Sequence, residues 1–199
     1  MNRPLLMDRP VLRTTTAAEG IPRRAFTVAE LEAMTEAGIL LEDERIELIG
    51  GEIVPMSPKG NQHELVKTAL THYWSRRLVE DITFTTETTF RFTEDTYLEP
   101  DFVFYPRGGL KELSGASARL VVEIADSSLH YDLGRKARMY AAFGVVELWV
   151  IHAVRLETRV HTEPTVTGYR SVIDLPAHER LTPMLMPSLA VALAELDLG

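Results

Sequence analysis

Polar and apolar residues alternate from Ile82 to Phe92. The even positions are Ile82, Phe84, Thr86, Thr88, Phe90 and Phe92, and the odd ones Thr83, Thr85, Glu87, Thr89 and Arg91. A period of two, carried by β-branched and aromatic side chains, predicts a half-exposed strand. Tyr97 to Tyr105 and Arg119 to Ala125 predict a second and a third strand. Val146 to Ile151 shows little alternation and predicts a fourth, buried on both faces. Leu65, Ala69, Tyr73 and Leu78 follow helical spacing instead. They predict a helix from Asn61, with Glu64 as its capping-box partner, to about Val79. Another helix is expected from Asp132, as its cap, to Gly144. The order from Asn61 to Ile151 is then α-β-β-β-α-β, an α/β fold whose mixed sheet is flanked by helices.

The flanks add smaller elements. Thr27 with Glu30 forms a capping box for a helix that stops at Gly38. Arg45–Ile49 and Glu52–Val54 surround Gly50-Gly51 and predict a β-hairpin, because glycine tolerates the positive φ of such turns. Glu47 falls among alternating neighbours there, which predicts a solvated face. Two more strands are expected near 155–162 and 169–174, and Pro187-Ser188 opens a short C-terminal helix. Met1 to about Arg24 carries three prolines and a threonine run with little periodicity, and is expected to be a loosely held arm. Residues 25–199 are expected to form one domain.

The chain has 199 residues, 45% hydrophobic and 25% charged, enough for one core. No apolar run approaches the roughly 18 residues of a membrane span, and the N-terminus lacks the apolar stretch of a signal peptide. Cysteine is absent, so neither disulfides nor thiolate chemistry are expected. A soluble, cytoplasmic protein is the simplest expectation. The net charge of −8 argues against broad adhesion to nucleic acid. It is compatible with a nuclease, because a small basic cleft or a bound divalent cation reverses the sign locally.

Three positions carry candidate chemistry. Asp101 follows Pro100, which favours a strand start, and precedes the apolar Phe102-Val103-Phe104. Such an aspartate exposes a carboxylate at a strand end, or simply serves a turn. Glu123 interrupts Leu120–Ala125. A buried carboxylate there needs a cation, a metal or a proton; an arginine ion pair or a solvated face would also account for it. Lys136 lies four residues after Asp132 and four before Tyr140, on one helical face. It either makes a surface pair with Asp132 or points at the carboxylates. His63 and Glu64 open the long helix and are further candidates, against plain roles as an exposed polar residue and a capping partner. Other chemistries find no support: there is no Walker A motif, dinucleotide fingerprint, His-Glu-x-x-His or glycine-flanked serine. Tyr73-Trp74 has apolar helical neighbours and reads as core.

The span from about Phe26 to Leu196 resembles the Uma-two family of restriction-endonuclease-like proteins. The resemblance lies in the helix at Phe26–Leu31, the segment Glu47–Pro58, His63, Glu99-Pro100-Asp101-Phe102-Val103 and Val122–Leu129. It continues through Tyr131-Asp132, Lys136, Tyr140-Ala141 and Glu147-Leu148-Trp149. It implies the PD-(D/E)xK nuclease fold, with Asp101 and Glu123 as ligands of Mg²⁺ or Mn²⁺. The broader superfamily has its lysine two residues after the glutamate, where this chain has Ala125; Lys136 on the following helix would supply that charge. The implied activity is metal-dependent hydrolysis of phosphodiester bonds by an endonuclease acting on DNA. The alternative is a catalytically inactive nuclease-fold module that binds nucleic acid or assembles as a homo-oligomer. Its partners would be nucleic acid or further copies of itself, and no membrane.

Overall fold

The computed structural model describes residues 14–16, 20–41, 43–126 and 128–199. In chain order the strands and helices begin with β1 (Thr14–Thr16), β2 (Pro22–Arg24), α1 (Val28–Glu36), β3 (Ile46–Ile49) and β4 (Glu52–Pro55). Next come α2 (Asn61–Ser75), β5 (Ile82–Thr85), β6 (Phe90–Thr93), β7 (Thr96–Leu98), β8 (Phe102–Pro106) and β9 (Leu120–Ala125). A helical stretch follows, α3 (Leu129–Tyr131), a π-helical turn (Asp132–Lys136) and α4 (Ala137–Ala142). Then come β10 (Glu147–His152), β11 (Thr158–Thr165), β12 (Gly168–Leu175), β13 (Arg180–Leu181) and β14 (Val191–Ala192). No described helix is long and apolar enough to cross a membrane.

Two compact units emerge, one from residues up to Met56 with Thr93–Leu98, the other from Ser57–Phe92 with Glu99–Gly199. In the first, Thr27 caps α1 and Glu30 completes the capping box from its side chain. Strands β3 and β4 form the expected hairpin. Gly50 and Gly51 both have positive φ, +58° and +82°, as a tight type I′ turn requires. A Cβ on Gly51 would also lie 2.5 Å from that of Ala25. Contrary to the solvated face expected of it, Glu47 is only 1% exposed. The reason is that β3 is an inner strand, paired with β4 on one edge and β7 on the other, and all four of its residues are buried. Within the expected arm, Thr14–Thr16 pairs with Pro22–Arg24; positions 1–13 and 17–19 lie outside the described residues.

The second unit holds a six-stranded sheet in the order β12-β11-β10-β9-β8-β5. Only β9 and β10 run parallel, joined by the helical stretch 129–142. The predicted α-β-β-β-α-β succession is therefore present as α2, β5, β8, β9, α3–α4 and β10. Phe102, Phe104, Leu120, Val122, Ile124, Trp149 and Ile151 bury one face of the sheet against Val66, Leu70 and Trp74 of α2. Trp74 meets Phe102 and Phe104 edge-on at 5.1 and 5.0 Å. Its indole N–H donates to the Leu189 carbonyl at 3.0 Å.

Several boundaries differ from expectation. The alternating run Ile82–Phe92 is two strands, broken where Glu87 takes a left-handed φ of +51°. Tyr97–Tyr105 is likewise two, interrupted at Glu99–Asp101. Gly60, not Asn61, is the N-cap of α2, and that helix ends at Ser75. The helix expected from Asp132 already begins at Leu129. Pro187–Leu189 forms only a 3₁₀ turn, after which β14 pairs with β13.

Candidate active site

Asp101 stands where the chain enters β8. Phe102 pairs with Val122 in antiparallel register, so one residue further Asp101 and Glu123 fall at facing positions of neighbouring strands. Both are buried, at 4% and 3% exposure. Asp101 Oδ2 accepts the Ile124 N–H at 2.7 Å, standing in for a backbone carbonyl. Oδ1 accepts from His63 Nε2 at 3.0 Å and from Lys59 Nζ at 2.7 Å. His63 reaches it because His63, Val66, Leu70 and Trp74 form one buried stripe of α2. The stripe carries its polar member to the end of the sheet. Burial pushes the Asp101 carboxyl upward, but His63, by hydrogen bond and charge, together with Lys59 outweighs it and holds the group at about 2.

Glu123 lies on the opposite face of β9 from Val122 and Ile124, turned toward the helical stretch. Its Oε1 accepts the Tyr140 O–H at 2.6 Å and lies 3.0 Å from Lys136 Nζ. Lys136 also lies 3.8 Å from Asp132 Oδ1, and Ser128 Oγ bonds the other oxygen of Asp132. The π-helical turn spans Asp132 to Lys136, immediately before the turn that carries Tyr140. Wide turns of this kind recur at functional sites.

The sequence candidates therefore divide. Asp101 and His63 form one contact set and Glu123 and Lys136 another, at register positions that face each other on β8 and β9. The pairing of Asp132 with Lys136 is present, but both residues are buried, so it is no surface pair. Glu64 stands aside: its side chain is half exposed and engages Lys67 and His63 Nδ1. Two residues escaped sequence reasoning. Lys59 gave no signal beyond its place before the α2 N-terminus. Tyr140 was legible as sharing a helical face with Lys136, though not as a donor to Glu123.

Mg²⁺ is held in proteins by one or two carboxylates with water completing its shell. Asp101 and Glu123 at facing positions fit that donor set. Among the described residues no group of three or more His, Cys, Asp or Glu side chains is arranged for an ion. A cation at this place would thus rest on Asp101 and Glu123 and remain largely hydrated.

No curated protein matches the chain. A solved structure described as "a putative nuclease belonging to DUF820", from Anabaena variabilis, superposes with a TM-score of 0.61 at 14% identity. The match covers 81% of this chain and 95% of that one. At that identity the likeness concerns the fold, a mixed α/β architecture of the restriction-endonuclease-like kind. The family Uma2, described as "Putative restriction endonuclease", matches residues 28–194. That stretch is most of the chain, and with its ordered strands, helices and sheet-end residues the protein belongs to the Uma2 family.

Proposed function

We propose that this protein is a metal-dependent nuclease that hydrolyses phosphodiester bonds of DNA. The observation that carries the proposal is the pair Asp101 and Glu123, both buried and at facing register positions of neighbouring strands. The descriptions of the family and of the structural neighbour point the same way. Mg²⁺ or Mn²⁺ on these carboxylates would supply a Lewis acid for a phosphoryl oxygen and lower the pKa of a bound water. The chain's own residues do the rest. His63 and the Ile124 N–H orient Asp101, and its depressed pKa keeps it ionised at neutral pH. Tyr140 orients Glu123. Lys136 donates to the negative charge that develops on the phosphoryl oxygens, a preorganised donor in a water-poor place.

The test is cleavage of plasmid and single-stranded DNA by purified protein with Mg²⁺ or Mn²⁺. Asp101→Asn and Glu123→Gln should each lower the rate by about 10²-fold or more. Wild-type protein that cuts neither DNA nor RNA with either ion would end the enzymatic reading. A second reading is favoured by one observation: both carboxylates already carry ammonium partners. On that reading the fold is a nucleic-acid-binding or oligomeric assembly module without chemistry. Calorimetric titration with Mn²⁺ separates the two, since a competent site binds the ion and loses it in Asp101→Asn.

A further inference from the structure

Lys59 lies between Pro58 and Gly60, immediately before α2. Its ammonium donates to Asp101 Oδ1 at 2.7 Å and also pairs with Glu87 Oε1. Lys67 donates to that same Glu87 oxygen at 3.2 Å and to Glu64 at 2.8 Å. Glu87 is held in place at some cost. Its φ of +51° is the left-handed region that residues with a Cβ avoid. Its N–H is bonded to the carbonyl of Pro100, the residue before Asp101, at 3.1 Å. Glu87 is thus fixed by backbone as well as by charge, beside both Lys59 and Lys67.

The partners of Asp101 differ in how readily they can leave. The Ile124 N–H is strand backbone. His63 is 4% exposed and belongs to the buried stripe of α2. The Lys59 side chain is 13% exposed and long, and it already touches a second carboxylate that would keep its charge paired. A carboxylate oxygen has two lone pairs, and His63 and Lys59 both address Oδ1.

We propose that Lys59 is a displaceable counter-ion at Asp101: its ammonium occupies a lone pair of Oδ1 and sets a positive charge against a divalent cation there, and it shifts wholly onto Glu87 when such a cation binds. The proposal rests on the metal-dependent reading above and adds a control on it. Lys59 keeps Asp101 neutralised while no cation is bound and lowers the affinity for the cation by competing with it. A coupling of ordinary size between the ammonium and the cation lowers the cation's affinity by about 5-fold to 150-fold.

The test is calorimetric titration of the full chain with Mn²⁺ alone, without nucleic acid. Lys59→Met and Lys59→Gln should bind Mn²⁺ about tenfold more tightly than wild type, or more. Lys59→Arg, which keeps the charge, should stay near wild type. So should Lys67→Met, which loses a contact with Glu87 but none with Asp101. Unchanged or weaker binding in Lys59→Met and Lys59→Gln, with a wild-type near-ultraviolet circular dichroism spectrum, overturns the proposal and leaves the metal-dependent reading standing. Binding by the Lys59 variants but not by wild type upholds it. Binding by none of these proteins overturns both. If Lys59→Met fails to fold, Lys59→Gln carries the test.

Discussion

An isolated buried carboxylate is pushed toward protonation by desolvation; Asp101 is held ionised by the His63 and Lys59 that surround it. Its folded pKa, about 2, lies below the unfolded value, so its contribution to stability is complete above about pH 4 and is lost as pH falls toward 2. Carbon NMR of the Asp101 carboxyl should show a midpoint near 2. A midpoint in the ordinary carboxylate range would mean that Lys59 and His63 do not neutralise it in solution. Any acid limb of a cleavage profile between about pH 5 and 7 must then come from another group. Glu123 and Lys136 form the second buried pair. Truncating one partner of such a pair costs about 3–5 kcal/mol, whereas replacing both is far less harmful. Lys136→Met should therefore destabilise the protein strongly, and adding Glu123→Gln should recover much of the loss. Urea unfolding of the single and double variants measures the coupling, and additive effects would contradict the pair.

At the scale of elements, the site depends on where the helical stretch 129–142 is seated. Gly115 packs against the end of that stretch: a Cβ there would lie 1.9 Å from the Phe143 carbonyl oxygen. Backbone cannot yield as a flexible side chain can, so Gly115→Ala should cost about 3 kcal/mol or more. Gly134, inside the π-helical turn, has open space where its Cβ would be. Gly134→Ala should leave stability unchanged or raise it by about 0.5–1 kcal/mol through helix propensity. Urea denaturation of both variants checks the contrast. Equal effects would show that the close approach at Gly115 is not what seats the stretch.

At the scale of the whole molecule, the net charge of −8 opposes approach to a polyanion. The two ammonium groups at the sheet end are already balanced by carboxylates, so the chain has little local excess of positive charge there. A divalent cation would supply it. Fluorescence anisotropy with a DNA duplex at roughly 150 mM salt, where charges are screened within about 8 Å, should show weak binding in chelator. Ca²⁺ or Mn²⁺ should tighten it severalfold. Binding of equal strength with and without the cation would locate the source of attraction elsewhere.

Local pattern alone determined a good deal. Helical spacing placed α2 with Trp74 in the core, the capping box of Thr27 and Glu30 placed α1, and the α-β-β-β-α-β order emerged from alternation and apolar runs. Asp101 and Glu123 were legible as residues because a charge within or beside an apolar run is conspicuous, and Lys136 through its helical spacing to Asp132 and Tyr140. Tertiary structure decided the rest. The break at Glu87 is invisible to a period of two, since alternation continues through the turn that divides β5 from β6. The burial of Glu47 follows from β3 having neighbours on both edges. Lys59 and His63 meet Asp101 across 42 and 38 residues of chain. Periodicity reports which face a side chain takes within its own element. Which charge neutralises which is settled only when separate elements are packed, because that balance depends on distance in space and on exclusion of water.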